Sequence, residues 1–166
     1  MSKQIGRAWV FGDDVDTDLI YHNKYLAETD PKQMPQYAFE YYPGMEDFAK
    51  QVKPGDFVVA GKNFGCGSSR EQAPLALKYA GVSAVLAESF ARIFYRNAIN
   101  VGLPVVVCDT SSIQDGDAVS LDLDEGTVTV NDTEVITCAK LPAIMQTILS
   151  EGGLDCFLKK RGDFIL

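Results

Sequence analysis

Apolar and polar residues follow two rhythms along this chain. Between residues 57 and 108, short apolar runs (57–60, 84–87 and 104–108) alternate with helically spaced stretches (70–80 and 90–100). This alternation predicts a βαβαβ unit with parallel strands and right-handed crossovers. Ala73, Leu77 and Ala80 fall at i, i+4 and i+7 and predict a stripe packed on the sheet. Gly81 and Gly102 stand where a left-handed residue closes each helix. Beyond Asp115-Gly116 the period falls to two. Val119-Ser-Leu-Asp-Leu and Thr127-Val-Thr-Val flank the turn Asp124-Glu-Gly, which predicts a hairpin, with a further strand over 134–138. A helix over 142–149, closed by Gly152-Gly153, leaves a basic, loose tail.

The first third is less periodic. Residues 6–12 read as a strand, followed by Asp13-Asp-Val-Asp-Thr-Asp18, an acidic turn whose spacing fails the EF-hand pattern at its sixth and twelfth positions. Thr29 or Asp30 before Pro31 predicts a helix start, with a short helix over 33–42 ended by Pro43-Gly44. Residues 45–52 form a second short amphipathic piece, and Pro54-Gly-Asp turns the chain into the central strand. The expectation is one α/β domain over residues 1–166: a mixed sheet with a parallel βαβαβ core plus a β-hairpin.

Composition narrows the partners. Apolar residues make up 46% and charged residues 23% of the 166, as in ordinary globular chains, and the formal net charge is −8. That charge makes nucleic acid and anionic membranes poor partners. No apolar run is long enough to span a bilayer, and Met1-Ser-Lys-Gln-Ile lacks the apolar core of a signal peptide, so a cytoplasmic location is expected. Cys66, Cys108, Cys138 and Cys156 form no Cys-x-x-Cys pair, and His22 alone does not complete a zinc set with them. Cys108 and Cys138 sit in apolar strand contexts as small hydrophobes. Cys66 lies in a polar turn, yet no histidine near it in sequence would serve as its base.

That turn is the candidate site. Residues 61–74 read Gly-Lys-Asn-Phe-Gly-Cys-Gly-Ser-Ser-Arg-Glu-Gln-Ala-Pro, between an apolar strand and a helix. Gly65 and Gly67 permit positive φ and close backbone approach. Ser68 or Ser69 is expected to cap the helix, and Arg70 offers a forked cation suited to carboxylate or phosphate. Neither the Gly-x-x-x-x-Gly-Lys-Ser/Thr nor the Gly-x-Gly-x-x-Gly nucleotide signature is present, nor is a Gly-x-Ser-x-Gly elbow, so a carboxylate is the expected anion.

Two segments carry a family resemblance: Gly61-Lys-Asn-Phe-Gly-Cys-Gly-Ser-Ser-Arg-Glu71 and Glu88-Ser-Phe-Ala-Arg-Ile-Phe-Tyr-Arg-Asn-Ala-Ile-Asn-Val-Gly-Leu-Pro104. They closely resemble the small subunit of 3-isopropylmalate dehydratase and, more broadly, the mobile C-terminal domain of the aconitase superfamily, from residue 6 to about 149. The resemblance implies a swivelling β/β/α domain that forms one half of a hydro-lyase of leucine biosynthesis. It implies a larger partner subunit carrying a [4Fe–4S] cluster, a small 2-hydroxy diacid as substrate, and no cluster ligand among the four cysteines here. By motif, Ser68 corresponds to the serine whose alkoxide takes a proton, and Arg70 to the arginine gripping a substrate carboxylate. Ser69 would act through its backbone N–H, Gly67 by close approach, and Asp18 by ordering charged partners.

The residues after Tyr25-Leu26, namely Ala27, Glu28 and Thr29, correspond to the loop that discriminates the substrate's substituent. Nothing basic is offered there, which favours isopropylmalate, or a smaller methylated malate such as 2,3-dimethylmalate or citramalate, over citrate- or homocitrate-type substrates, with a related dehydratase of dimethylmalate, citramalate/citraconate or homoaconitate type kept as the alternative. The chain departs from the family pattern at residues 21–24 (Tyr-His-Asn-Lys) and at Gln72, where histidine is usual. Two other classes remain open at this level: a stand-alone carboxylate-binding module, and a cysteine hydrolase built on Cys66.

Overall fold

The computed structural model describes residues 5–160. Its strands are β1 (Ile5–Val10), β2 (Phe57–Ala60), β3 (Ala84–Ala87), β4 (Val105–Val107), β5 (Ala118–Asp122), β6 (Thr127–Val130) and β7 (Glu134–Thr137). They form one seven-stranded sheet in the order β4-β3-β2-β1-β5-β6-β7. Neighbours from β1 to β4 are parallel, so β1 extends the expected parallel core by a strand. β1, β5, β6 and β7 pair antiparallel. The sheet curls until its ends meet: the Ala139 N–H, just past β7, donates to the Val107 carbonyl of β4 at 3.0 Å.

Period two along the strands divides the interior. Trp9, Val58, Ala60, Val85, Ala87 and Val105 face the helices and pack with Phe39, Phe48, Leu77 and Phe94. Their alternates, Ala8, Phe57, Val59, Ala84, Leu86 and Val106, face into the curl against Val119, Val128, Val130 and Ile136. The result is the β/β/α layering expected of the domain. Asp56, buried before β2, accepts from Trp9 Nε1 at 3.0 Å and from the Arg7 N–H at 3.0 Å, tying the turn into the central strand to β1.

The helices are α1 (Thr17–Ile20), α2 (Phe48–Gln51), α3 (Gln72–Tyr79), α4 (Arg92–Val101), α5 (Ala143–Ser150) and α6 (Leu154–Lys160). Several differ from the sequence expectation. The predicted helix over 33–42 is a 3-10 segment, Pro31–Tyr37, capped by Asp30, whose side chain accepts from the Lys32 N–H. Pro35 inside it lacks the donor an α-helix would need. The piece predicted over 45–52 shrinks to α2. Part of the predicted loose tail is α6, which packs against α4 and α5; residues 161–166 lie outside the described residues. Helix α4 begins two residues late because the backbone of Phe90 and Ala91 is bonded to Phe64, the Ala91 N–H donating to the Phe64 carbonyl at 2.9 Å.

Candidate functional site

The acidic run, exposed at Asp13 and Asp14, is more than a solvated turn. It lies alongside the glycine turn and holds it. The Lys62 N–H donates to Asp13 Oδ1 at 2.7 Å, Asn63 Nδ2 to Asp14 Oδ1 at 3.0 Å, and the Gly65 N–H to the Val15 carbonyl at 2.8 Å. The Thr17 N–H donates to the Cys66 carbonyl at 2.8 Å, and Thr17 Oγ1 to the Ser68 carbonyl at 3.0 Å. Asp16 caps α1 by accepting from the Asp18 N–H at 2.7 Å, and its carboxylate lies where a Cβ on Gly67 would fall, 2.6 Å away. Two segments some fifty residues apart thus run as paired straps at the C-terminal end of the parallel strands.

Ser68 and Ser69 do not cap α3, as the sequence suggested. The residue before α3 is Glu71, which makes no side-chain cap, and the serines lie outside the helix. The reason is the strap: Thr17 holds the Ser68 carbonyl, and Arg70 is drawn toward α1. Its Nη1 donates to Asp18 Oδ1 at 2.8 Å and to the Tyr21 carbonyl at 3.3 Å. Both bonds fall on one nitrogen, which leaves the other edge of the fork for a ligand. The Arg70 side chain is only 13% exposed and Asp18 45%, while Gly67, Ser68 and Ser69 are exposed. The hydrogen bond from Arg70 holds the Asp18 carboxyl below the usual range, with the Asn23 N–H, which donates to Asp18 Oδ1 at 2.9 Å, acting the same way. The two site carboxyl and guanidinium groups are therefore a fixed ion pair beside two free hydroxyls.

The resemblance-based loop converges on the same place in part. A cleft of about 540 Å³ has Leu26, Met34 and Leu75 as apolar lining and Glu28, Thr29, Ser69 and Gln72 among its polar lining. Ser69 joins it to the turn. Ala27 is exposed and does not line it. Glu28 turns its carboxylate on its own loop, where Oε2 accepts from the N–H groups of Thr29 at 3.1 Å and Asp30 at 3.2 Å. His22 is a packing and capping residue: Nδ1 accepts from the Lys24 N–H at 3.1 Å and the ring lies 4.3 Å from Tyr41. Sequence reasoning missed Thr17, Met34 and Leu75. Only Thr17 carried a signal, a threonine between two aspartates; the other two look like ordinary core residues.

Gly65 is fixed by packing as well as by conformation. Its φ is +85°, and a Cβ there would lie 2.3 Å from Cγ of Phe94 on α4. Gly65→Ala is expected to lower unfolding stability by about 3 kcal/mol, combining overpacking with a left-handed alanine. A urea midpoint unchanged from the parent would contradict this account of the turn.

Cys66 is poorly suited to nucleophilic chemistry. Burial pushes its thiol up, and the neighbouring carboxylates of Asp16 and Asp14 push it further in the same direction. Exposed Cys156 is therefore expected to react with iodoacetamide at neutral pH well before Cys66, as peptide mapping of partly alkylated protein would report. Cys108 and Cys138 are buried in the core inside the curl. Among the described residues no group of three or more His, Cys, Asp or Glu is placed to hold a metal ion, so these side chains do not fit an iron–sulfur cluster.

Known proteins share this fold and much of this sequence. The family model described as the aconitase C-terminal domain matches residues 13–109. The chain is 56% identical to 3-isopropylmalate dehydratase small subunit 2 of Archaeoglobus fulgidus, over 97% of this chain and 98% of that one. It is 53% identical to the methanogen homoaconitase small subunit of Methanocaldococcus jannaschii, over 94% and 91%. A crystal structure of 3-isopropylmalate dehydratase from M. jannaschii superposes with a TM-score of 0.92 at 50% identity, covering 97% of this chain and 96% of that one. The chain belongs to the aconitase C-terminal domain family, among the small subunits of isopropylmalate- and homoaconitase-type dehydratases.

Proposed function

We propose that this chain is the small subunit of a two-subunit hydro-lyase acting on a malate-type diacid with an alkyl substituent, isopropylmalate first among them. The observation that carries the reading is the unequal exposure of the turn: Arg70 is held inward while Ser68 and Ser69 stand open to water. A serine alkoxide is far too costly in an open, hydrated turn. It becomes accessible only when a second body closes over the turn and excludes solvent. The chain alone is then an inert half, and its partner supplies both the cover and the Lewis acid that lets hydroxide leave.

Within that closed site each residue has a defined task. The free edge of Arg70 takes one substrate carboxylate, with Asp18 fixing the guanidinium plane. Ser68 Oγ removes the proton on the carbon beside the carboxylate, and the electron pair left there forms the double bond as hydroxide departs. Rehydration returns water in the other regiochemistry, which makes the overall change an isomerisation. The N–H groups of Gly67 and Ser69 are assigned to the developing charge. The substituent enters the cleft next to Ser69, where Leu26, Met34 and Leu75 offer apolar surface.

No basic side chain lines that cleft, and Glu28 in its lining turns its carboxylate on its own loop, so a third substrate carboxylate finds no cationic partner there. This supports an alkyl over a carboxyalkyl substituent. Identity alone does not discriminate, since relatives named for either substrate lie at 53–56%. The test is anaerobic reconstitution with the cognate large subunit and assay with 2-isopropylmalate, 2,3-dimethylmalate, citramalate and homocitrate. Turnover confined to alkyl malates is expected. Preferential turnover of homocitrate would overturn the substrate assignment, and activity of the isolated chain would overturn the half-enzyme reading.

A further inference from the structure

The surface continuing from the site mouth along α4 has features that the reaction does not use. Helix α4 presents Arg92, Ile93 and Arg96 to solvent, and Ile93 is 51% exposed. Beside them on α5, Ile144 is 55% exposed. Neither arginine makes an ion pair or a hydrogen bond among the described residues. Two clefts, of about 370 and 360 Å³, flank the helix and share Arg92 and Tyr95, so they run on as one groove. The second cleft carries Ile99, Ile144 and Met145 on its walls.

Arginines without a partner among the described residues thus stand beside exposed isoleucines on a chain of net charge −8, where acidic side chains are abundant. The position of the groove identifies its occupant. The Phe64 N–H donates to the Ser89 carbonyl at 3.1 Å, the Asn63 N–H to Ser89 Oγ at 2.7 Å, and the Ala91 N–H to the Phe64 carbonyl at 2.9 Å. The start of α4 and the glycine turn are therefore one rigid rim. Arg92 and Ile93, the first residues of α4, follow directly on the segment held against the turn that carries Ser68.

We infer that the α4–α5 groove is a docking surface for the large subunit, receiving an apolar segment of that subunit that carries carboxylates opposite Arg92 and Arg96. The inference rests on the half-enzyme reading above. Shape and apolar contact come from Ile99, Ile144 and Met145 in the groove, with exposed Ile93 on the same helix outside it, and the arginines set register and speed of encounter. The groove belongs to the assembly rather than to the chemistry, so its loss weakens association without altering the residues that act on substrate.

The experiment is anaerobic titration of the small subunit against its cognate large subunit, with the dissociation constant read by calorimetry or sedimentation. Arg92→Glu with Arg96→Glu is expected to weaken association at least about 100-fold and to abolish its salt dependence. Ile93→Asp is expected to weaken it as well. Val135→Ser, at an equally exposed apolar position on β7, should leave it unchanged. Unfolding midpoints of all variants are recorded, and Arg92→Gln with Arg96→Gln serves as a second, milder pair. Wild-type association matched within about threefold by both arginine double variants, each folded, would overturn the inference alone. Absence of any wild-type association would overturn the half-enzyme reading and the inference together. Self-association of the isolated chain through this groove would assign it to a second copy and equally overturn the proposal.

Discussion

Ser68→Ala in the reconstituted enzyme is expected to lower turnover by about a thousandfold, the scale on which a positioned base contributes. Binding of substrate should change little, so the loss falls on kcat rather than KM. The structure makes this a clean substitution. Ser68 is exposed, and its one bond to the strap uses the backbone carbonyl accepting from Thr17 Oγ1, which alanine keeps. Unfolding midpoint and subunit association should therefore match the parent. Ser69→Ala provides the contrast, because a role through its backbone N–H survives loss of the hydroxyl. If single-turnover measurements gave Ser68→Ala near-parental rates and Ser69→Ala the large loss, the two serines would have to exchange roles.

Arg70→Lys is expected to cost about 100-fold in kcat/KM, near 3 kcal/mol, although it conserves charge. Arg70 commits one nitrogen to Asp18 and the Tyr21 carbonyl and keeps a second edge for the ligand. A lysine ammonium has no second edge. It either pairs with Asp18 or follows the substrate, and the longer reach leaves the carboxylate poorly oriented. Asp18→Asn should have a smaller effect, carried by KM, since the guanidinium keeps its charge but loses its anchor. Steady-state kinetics of the three variants separate the cases; equal losses in Arg70→Lys and Asp18→Asn would mean that the pair acts only as a structural tie.

The parallel half of the fold was legible because its signals are local. Strands β2 and β3 coincide with their apolar runs, and the glycines after α3 and α4 adopt the left-handed conformation that closes a helix. Residues 19–52 were not legible in the same way. Their buried side chains, among them Tyr21, Met34, Phe39 and Phe48, follow no single period. They are placed by contacts with distant elements, such as the stacking of Phe39 on Phe11 at 4.1 Å and the packing of the 3-10 segment on α3. Pro35 then decides the helix type, which spacing alone does not reveal.

The site divides along the same line. Ser68, Ser69 and Arg70 stand together in a short motif, so that they share one turn was readable. The capping role assigned to the serines was wrong: Thr17, 51 positions earlier, holds the Ser68 carbonyl, and α3 starts only after Glu71. Asp18 entered through family resemblance, and its contact with Arg70 is a long-range fact that spacing does not encode. The departure at residues 21–24 also finds a physical place: His22 supplies the cap of the following 3-10 turn.

The paired straps have a consequence for how such proteins diversify. On the proposed mechanism, base and carboxylate grip are held by bonds between residues 13–18 and 62–70, whereas half of the substituent cleft's lining, Leu26, Glu28, Thr29 and Met34, comes from the excursion between β1 and β2. Asp18 and the other strap residues lie at the N-terminal end of that excursion, whereas residues 26–34 take no part in the strap bonds. Substitutions there can retune which molecule is accepted while the proton-transfer apparatus stays under unchanged selection. Gene duplication followed by drift in this one segment is then a short route to a new substrate, and relatives of near-equal similarity named for different acids are its natural outcome.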